Sequence, residues 1–563
     1  MSKRTETMSK IIVAASAALA SAAAFADFEI EIDPAAKPIR DARQSTSGTL
    51  IGYAGCLVNE HIEGYWYGEY AAETSRALRE AGAWFQRMWA ANAWFARRNA
   101  EKNRSYPDLL FPFWKRNGFK VLFTLEAWGG EKAKREIIEF VDYIVSNKYE
   151  SVVAGFELGN ESYGAHRSRM PALCKTWEEV IPEIRKRMPK VDLGIPLAEY
   201  MDNDPDIKQM RARCLDDKDI HAKEYFCAKR CNQTSAEMLR CLSNSLDQIS
   251  HVIYHAYGAE SPYSCSYYGI QRFRNFAEAF PAVRGKKMWL SEIRVRSDED
   301  NRCQRIFRES LISAHYALMA ICQPDMDGYN QHQMSNIHGG LYWSNGRVFQ
   351  GQWRDDFGGD YSDFRAPEGK PRLLVGHMGV MYRILTEAIK EHPLVMSHGT
   401  SKAHDVEDAF FTSARVCDQV YARRRALKEG KKPFLGLFGG VPEVEGEVEY
   451  VVLLNPHRNR VSIIMVNTKN EKVDFTFRAK GRELAAPAYV TMSCPEEFLD
   501  KCVIPGDGAA WRQISWEDTQ TGYYVVPIAV NEGLKLNCET LNLSIAPHTV
   551  QSVTFATRNA PKK

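Results

Sequence analysis

From residue 49 to about 391 the chain alternates short β-branched or aromatic runs with longer stretches whose apolar positions recur every three to four residues. The short runs are TLIGYAG, WFQRMWAA, KVLFTLEAW, VVAGFELGNE, DLGIPLAEY, HVIYHAYG, KMWLSEIRV and MDGYNQHQ. Helical spacing marks EYAAETSRALREAG, EKAKREIIEFVDYIVSN, CKTWEEVIPEIRKRM, GIQRFRNFAEAF, QRIFRESLISAHYALMAI and LLVGHMGVMYRILTEAIKE. Eight strand-like runs with helices between them predict an α/β fold, a closed (β/α)8 TIM barrel. The helix after the second run is indistinct, and the Cys-rich stretch at about 201–250 reads as an insertion in the barrel.

Beyond residue 392 the pattern changes to strands alone. EYVVLLN, VSIIMVNT, VDFTFRA, AYVTMSC, GYYVVPIAV, LNLSIAP and QSVTFAT are separated by turn residues without helices between them, which predicts a C-terminal antiparallel β-sandwich over 392–563. Residues 27–48 contain FEIEIDP and are expected to lend that sandwich a strand. The barrel then occupies 49–391.

Residues 1–26 read as a signal peptide. Lys3, Arg4 and Lys10 precede the apolar run IIVAASAALASAAAFA, which ends in the small-x-small sequence Ala24-Phe25-Ala26. This predicts a secreted or periplasmic protein with no membrane span after cleavage. With 73 basic and 71 acidic residues the charge is nearly balanced, so nothing marks a nucleic-acid or anionic-membrane partner. Thirteen cysteines suit an oxidising compartment, the odd number leaving at least one unpaired within the chain. Cys214, Cys227, Cys231 and Cys241 cluster in the insertion, with spacing that fits disulfides better than a zinc knuckle, and Cys494 and Cys502 could close a small loop.

In such a barrel the chemistry sits at the C-terminal strand ends. The fourth run ends in Asn160-Glu161, and the seventh strand is expected to end in Ser291-Glu292 after MWL. Two carboxylates facing each other across the mouth meet the requirement of glycoside hydrolysis, one to protonate the leaving oxygen and one to attack carbon or activate water. Glu157 is four residues before Glu161, and on a continuous strand it would lie on the same side, about 13 Å deeper.

ELGNES, YHAYG and WLSEIRV on runs four, six and seven resemble the clan A retaining glycoside hydrolases, and the barrel-plus-sandwich order resembles families 39, 51 and 79 of that clan. The resemblance implies that Glu161 is the acid/base, Glu292 the nucleophile and Asn160 a donor to the sugar 2-hydroxyl. It also implies that Arg87 and Tyr257 hold the nucleophile. His255 shares the face of Tyr257. Glu126 and Trp128 after run three, Gln331 and Gln333 near run eight, and Trp343 in GGLYWSNG are further candidates for binding hydroxyl groups or stacking on a sugar ring. EGYWYGEY, WAANAWF and SPYSCSYYG add aromatic density at other loop ends, as several sugar subsites would require.

The sequence therefore predicts a retaining glycosidase that cleaves β-linked oligo- or polysaccharides by double displacement, endo action favoured, with no cofactor and no metal. An exo-acting β-xylosidase, α-L-arabinofuranosidase or β-glucuronidase type is the alternative among enzymes. A non-catalytic carbohydrate-binding protein on a barrel scaffold is the alternative outside them.

Overall fold

The computed structural model describes residues 27–54, 71–96, 98–99, 104–162, 170–198, 232–258, 276–278, 280–295, 307–332, 334, 341–343, 373–401, 448–485, 487–493, 526–528 and 540–559. The signal segment, Gln333, Cys214, Cys227, Cys231, Cys494 and Cys502 lie outside these residues. No described helix is long and apolar enough to cross a membrane.

Eight strands close the barrel: β1 (Ile51–Ala54), β2 (Phe85–Met88), β3 (Lys120–Leu125), β4 (Val153–Leu158), β5 (Leu193–Pro196), β6 (His251–Gly258), β7 (Lys287–Val295) and β8 (Met326–His332). They follow one another around the ring in chain order, all parallel, and β8 pairs with β1. Every run read as a barrel strand is one. The indistinct region after β2 holds two helices, Ala91–Ala96 and Tyr106–Asn117, the second interrupted by Pro112, which blurs its period. The last predicted helix is shorter than the run LLVGHMGVMYRILTEAIKE. Leu373–Val375 pairs as a strand with Leu341–Trp343, and the helix begins at His377 after Gly376.

The lower barrel is filled by Phe85, Leu122, Ala154, Ile253 and Trp289. Trp289 is wholly buried, and glycines on three strands make room for its indole. A Cβ at Gly155, Gly194 or Gly328 would stand 2.6, 2.6 or 2.9 Å from that ring. The interior is thus a packed core that leaves only the C-terminal mouth for chemistry.

Two sheets form the second domain. The larger runs in the order Arg40–Asp41, Leu394–Thr400, Val448–Leu454, Arg460–Asn467, Thr549–Asn559, Ala488–Ser493, Val526–Ile528. The smaller joins Phe28–Ile32, Val473–Ala479 and Thr540–Ile545, with Phe28–Ile32 parallel to its neighbour. Leu394–Thr400 is a strand the hydrophobic pattern hides, because after Val395 the run LVMSHGT turns polar and only partly buried.

The continuous run VSIIMV is explained by burial on both faces. Val461, Ile463 and Met465 pack with the smaller sheet, against Phe475 and Phe477 among others. Ile464 and Val466 belong to the barrel's own core, with Val451, Leu453, Met492 and Val550. The domains also share a buried ion cluster. Glu449 on Val448–Leu454 accepts from His398 Nε2 at 2.6 Å and from His315 Nδ1 at 2.5 Å, and His315 stands on the barrel helix Phe307–Ile321. Burial would raise the Glu449 carboxyl, but the two histidines outweigh it and hold it below the ordinary value.

Candidate active site

Four strand ends build the site. Arg87 projects from β2, Glu157 from β4, His255 from β6, and Ser291 with Glu292 from β7. Consecutive residues of a regular strand face opposite ways, yet Ser291 and Glu292 both reach the interior. The register between β6 and β7 slips there, Tyr254 facing Leu290 and His255 facing Glu292, so β7 carries an extra residue at Ser291. A bulge of this kind re-aims a side chain at the price of one ladder position. Ser291 Oγ lies 3.3 Å from Glu157 Oε1, and Glu292 turns to Arg87.

A second irregularity aims Glu161. β4 ends at Leu158, Gly159 takes φ +95° and Glu161 φ +46°. Position 159 also has no space for a side chain, since a Cβ would fall 2.1 Å from Ser162 Oγ. The turn folds the chain back, so the 13 Å separation expected for an unbroken strand does not occur. Both carboxylates instead engage one imidazole: Glu161 Oε1 lies 3.0 Å from His255 Nδ1 and Glu157 Oε1 lies 3.3 Å from Nε2. Glu292 Oε2 is 3.6 Å from the same Nδ1. One ligand atom each from Glu161, His255 and Glu292 falls within 4.8 Å of the others.

Arg87 ties the cluster together. Its Nη1 donates to Glu292 Oε1 at 2.5 Å, its Nε and Nη2 to the two oxygens of Glu157 at 2.5 and 2.9 Å, and Nη2 also to Asn160 Oδ1 at 2.8 Å. Thr124 Oγ1 adds a bond to Glu157. Accessibility separates the carboxylates. The Glu157 side chain is 0% exposed, Glu292 11% and Glu161 30%, so only the last two can meet a substrate.

Burial would raise Glu157, but Arg87 and His255 overcome it and keep its carboxyl low. Burial likewise opposes charge on His255, yet Glu292, Glu157 and Glu161 push its pKa up to about 10, so the ring is an imidazolium that donates through both nitrogens. Three carboxylates against two cations leave the cluster one positive charge short of neutral.

Glu126, at the end of β3, is pushed up to about 7 by burial and by the charge of Glu157, against partial relief from the Asn160 backbone N–H, Arg87 and the Trp89 indole. Its backbone is clamped by the Asn92 carboxamide, which accepts from Glu126 N at 2.8 Å and donates to Glu126 O at 3.0 Å. Trp89, 45% exposed, stands just past the end of β2. It is a mouth aromatic within the stretch WAANAWF, though the sequence did not single it out.

The remaining candidates divide. Arg87 and His255 are buried and reach carboxylates, holding the cluster together from within the barrel. Gln331 is corrected: its side chain is buried and accepts from the Tyr382 hydroxyl at 3.3 Å, facing the helix layer outside the barrel because neighbours on β8 alternate. Trp128 packs, partly buried, against the core. Tyr257 and Trp343 lie in strands, but their side chains are outside the described structure.

Among the described residues, two groups have the spacing of metal ligands, Glu161 with His255 and Glu292, and Asp192 with His251 and Asp327. In the first, the guanidinium of Arg87 already sits on Glu292. In the second, Lys287 and Arg40 sit on Asp327, which also accepts from Thr46 and His251. Fixed cations thus fill the role an ion would take.

A scan against protein-family models and a comparison with curated proteins find no match. Among solved structures, a family 51 α-L-arabinofuranosidase from Bifidobacterium longum superimposes with a TM-score of 0.57 at 10% identity, over 94% of this chain and 99% of that one. The chain shares the barrel-and-sandwich fold of that enzyme. A monomeric β-xylosidase from Caulobacter crescentus and a GH39 enzyme from Xanthomonas axonopodis each give a TM-score of 0.49 at 10% identity. Both cover 94% of this chain, and 99% and 97% of their own. On this fold, Glu161 and Glu292 stand after β4 and on β7, at the open end of the barrel.

Proposed function

We propose that the protein is a retaining glycoside hydrolase acting on β-linked glycans, with Glu161 as acid/base and Glu292 as nucleophile. The observation that carries this reading is the short distance between them: each offers an oxygen within 4.8 Å of the other's. Retention uses carboxyl groups roughly 5–5.5 Å apart, whereas inversion needs about 6.5–9.5 Å to admit a water.

In the first displacement a proton passes from Glu161 to the leaving oxygen as Glu292 attacks the anomeric carbon. Arg87 holds Glu292 ionised and aimed. In the second, Glu161 takes a proton from water, which attacks the glycosyl ester and frees Glu292 with the original configuration. His255 couples the two, because one N–H faces both carboxylates and can follow the negative charge between them. Asn160, its Oδ1 engaged by Arg87, keeps its amide N–H groups for a sugar hydroxyl. The exposed Trp89 beside the mouth favours a glycan chain that extends past the cleaved bond, hence endo action.

The test is early-time proton NMR of the products from a panel of polymeric glycans and 4-nitrophenyl glycosides, including β-D-xyloside, β-D-glucuronide and α-L-arabinofuranoside. A product of the substrate's own anomeric configuration, lost in Glu292→Ala, is expected. An inverted first product would end the retaining assignment. Sugar binding without hydrolysis on any substrate, unchanged in Glu292→Ala, would favour the binding-protein alternative.

A further inference from the structure

Cys174 lies on the helix Met170–Arg187, which follows β4, and Cys241 ends the helical stretch 232–241 at the border of the Cys-rich insertion. Cys174 is buried, and its sulfur lies 3.8 Å from the carbonyl oxygen of Met238. Met238 and Cys241 are three residues apart on one helical face, so the stretch lays that face over Cys174. The Cys241 thiol is within hydrogen-bonding reach of the Cys174 sulfur, while its other side is open to solvent. Cys322, also a thiol and also buried, lies elsewhere, near Glu449 and Arg40.

We propose that Cys174 and Cys241 are a disulfide-forming pair that staples the end of the insertion to the helix after β4. The pair bridges the two segments on either side of β5 in the chain, one following the turn that carries Glu161 and the other preceding the strand with His255. This does not depend on the proposed activity.

A small-molecule disulfide such as oxidised glutathione supplies the oxidant. The exposed Cys241 thiolate attacks one sulfur of that disulfide, forming a mixed disulfide and releasing one glutathione thiolate. Cys174 then attacks the Cys241 sulfur and releases the second. The two protons lost by the protein thiols go to the released thiolates, so two thiols are oxidised and one small disulfide is reduced. Burial and the neighbouring Cys241 push the Cys174 thiol up to about 12, which makes Cys241 the first sulfur to react.

The experiment equilibrates the full chain with oxidised glutathione, blocks remaining thiols with iodoacetamide in denaturant without reductant, and maps peptides by mass spectrometry. Fragmentation must separate Cys241 from Cys265, since trypsin leaves both on one peptide. A cross-linked pair joining Cys174 to Cys241, about 2 Da below the sum of the reduced peptides and released by dithiothreitol, is the expected result. In Cys241→Ser, which alters only the exposed partner, Cys174 should become alkylated. Alkylation of both cysteines in the wild-type chain, or a link from either to another cysteine, overturns the proposal. So does a Cys174 that remains cross-linked in Cys241→Ser.

Discussion

Arg87→Met should destabilise the fold, and by an amount that depends on pH. Methionine fills much of the arginine's length but removes four donated hydrogen bonds, two to Glu157 and one each to Glu292 and Asn160. Counted singly, bonds to charged groups at about 1.5–3 kcal/mol each would overshoot, because the four share one guanidinium and are not additive. Breaking a buried pair by deleting one partner costs about 3–5 kcal/mol, and that is the expected loss at pH 7.5. This exceeds what a strand-end arginine touching only the nucleophile would lose, because the fully buried Glu157 is stranded as well.

The pH dependence follows from Glu157. In the native protein its carboxyl is held low, so the pairing stabilises the fold above the unfolded-state value near 4.3, and that stability is lost as pH falls through the folded value. Without Arg87, burial raises Glu157, and the folded variant binds a proton more tightly than the unfolded chain. Its stability then falls as pH climbs above about 4.3. The gap between wild type and variant should therefore widen from pH 4.5 to pH 7.5, as the variant's stranded carboxylate ionises. Denaturant titrations at both pH values measure it. The double variant Arg87→Met/Glu157→Gln should regain about 2 kcal/mol at pH 7.5 by removing the stranded charge. A gap that is equal at both pH values and untouched by Glu157→Gln would refute the reasoning.

Further expectations concern single positions. Glu126→Gln should flatten a stability loss of about 2 kcal/mol between pH 4.5 and 7.5, since a carboxyl raised to about 7 binds its proton more tightly in the folded state and destabilises the fold as it ionises; thermal melts across that range check it. Gly159→Ala must hold φ near +95° and push Ser162 aside, costing about 1–3 kcal/mol and, on the proposed mechanism, most of kcat through misplacement of Glu161; a melt with a kcat measurement separates the two. Gly194→Ala drives a methyl into the Trp289 ring and should cost about 1–3 kcal/mol by denaturant titration, with relief in a Trp289→Phe background. Glu161→Ala should keep burst turnover of an activated aryl glycoside and be rescued by azide to a glycosyl azide of unchanged configuration, read by product NMR; rescue of Glu292→Ala alone, to an inverted product, would remove Glu161 as acid/base.

All eight barrel strands were legible because parallel strands buried on both faces form dense apolar runs, and the meeting of Glu161 and Glu292 at the mouth could be read from their expected positions at the ends of the fourth and seventh strands. What strict period-2 alternation misses is where the backbone leaves it. The bulge at Ser291 and the left-handed residues 159 and 161 place Glu157, Glu161 and Glu292 around one histidine, and neither irregularity has a hydrophobic signature. A polar Ser-Glu pair inside a strand run was the available hint of the first, and the glycine before Asn160 of the second. Gln331 was misjudged because the closing residues of β8 do not reveal which of them face the mouth. Glu126 and Trp89 are linked by a side-chain contact between different loops, which no local pattern encodes.

The shared apolar interface has a practical meaning for anyone cutting or recombining this gene. Residue 392 looks like a seam, but a barrel ended there would expose the helices that cover Val451, Leu453, Ile464 and Val466, and would leave His315 without Glu449. The sandwich made alone would present the same greasy surface to water and to other copies of itself. Grafting a different sandwich onto this barrel requires matching both that surface and the histidine–carboxylate contact.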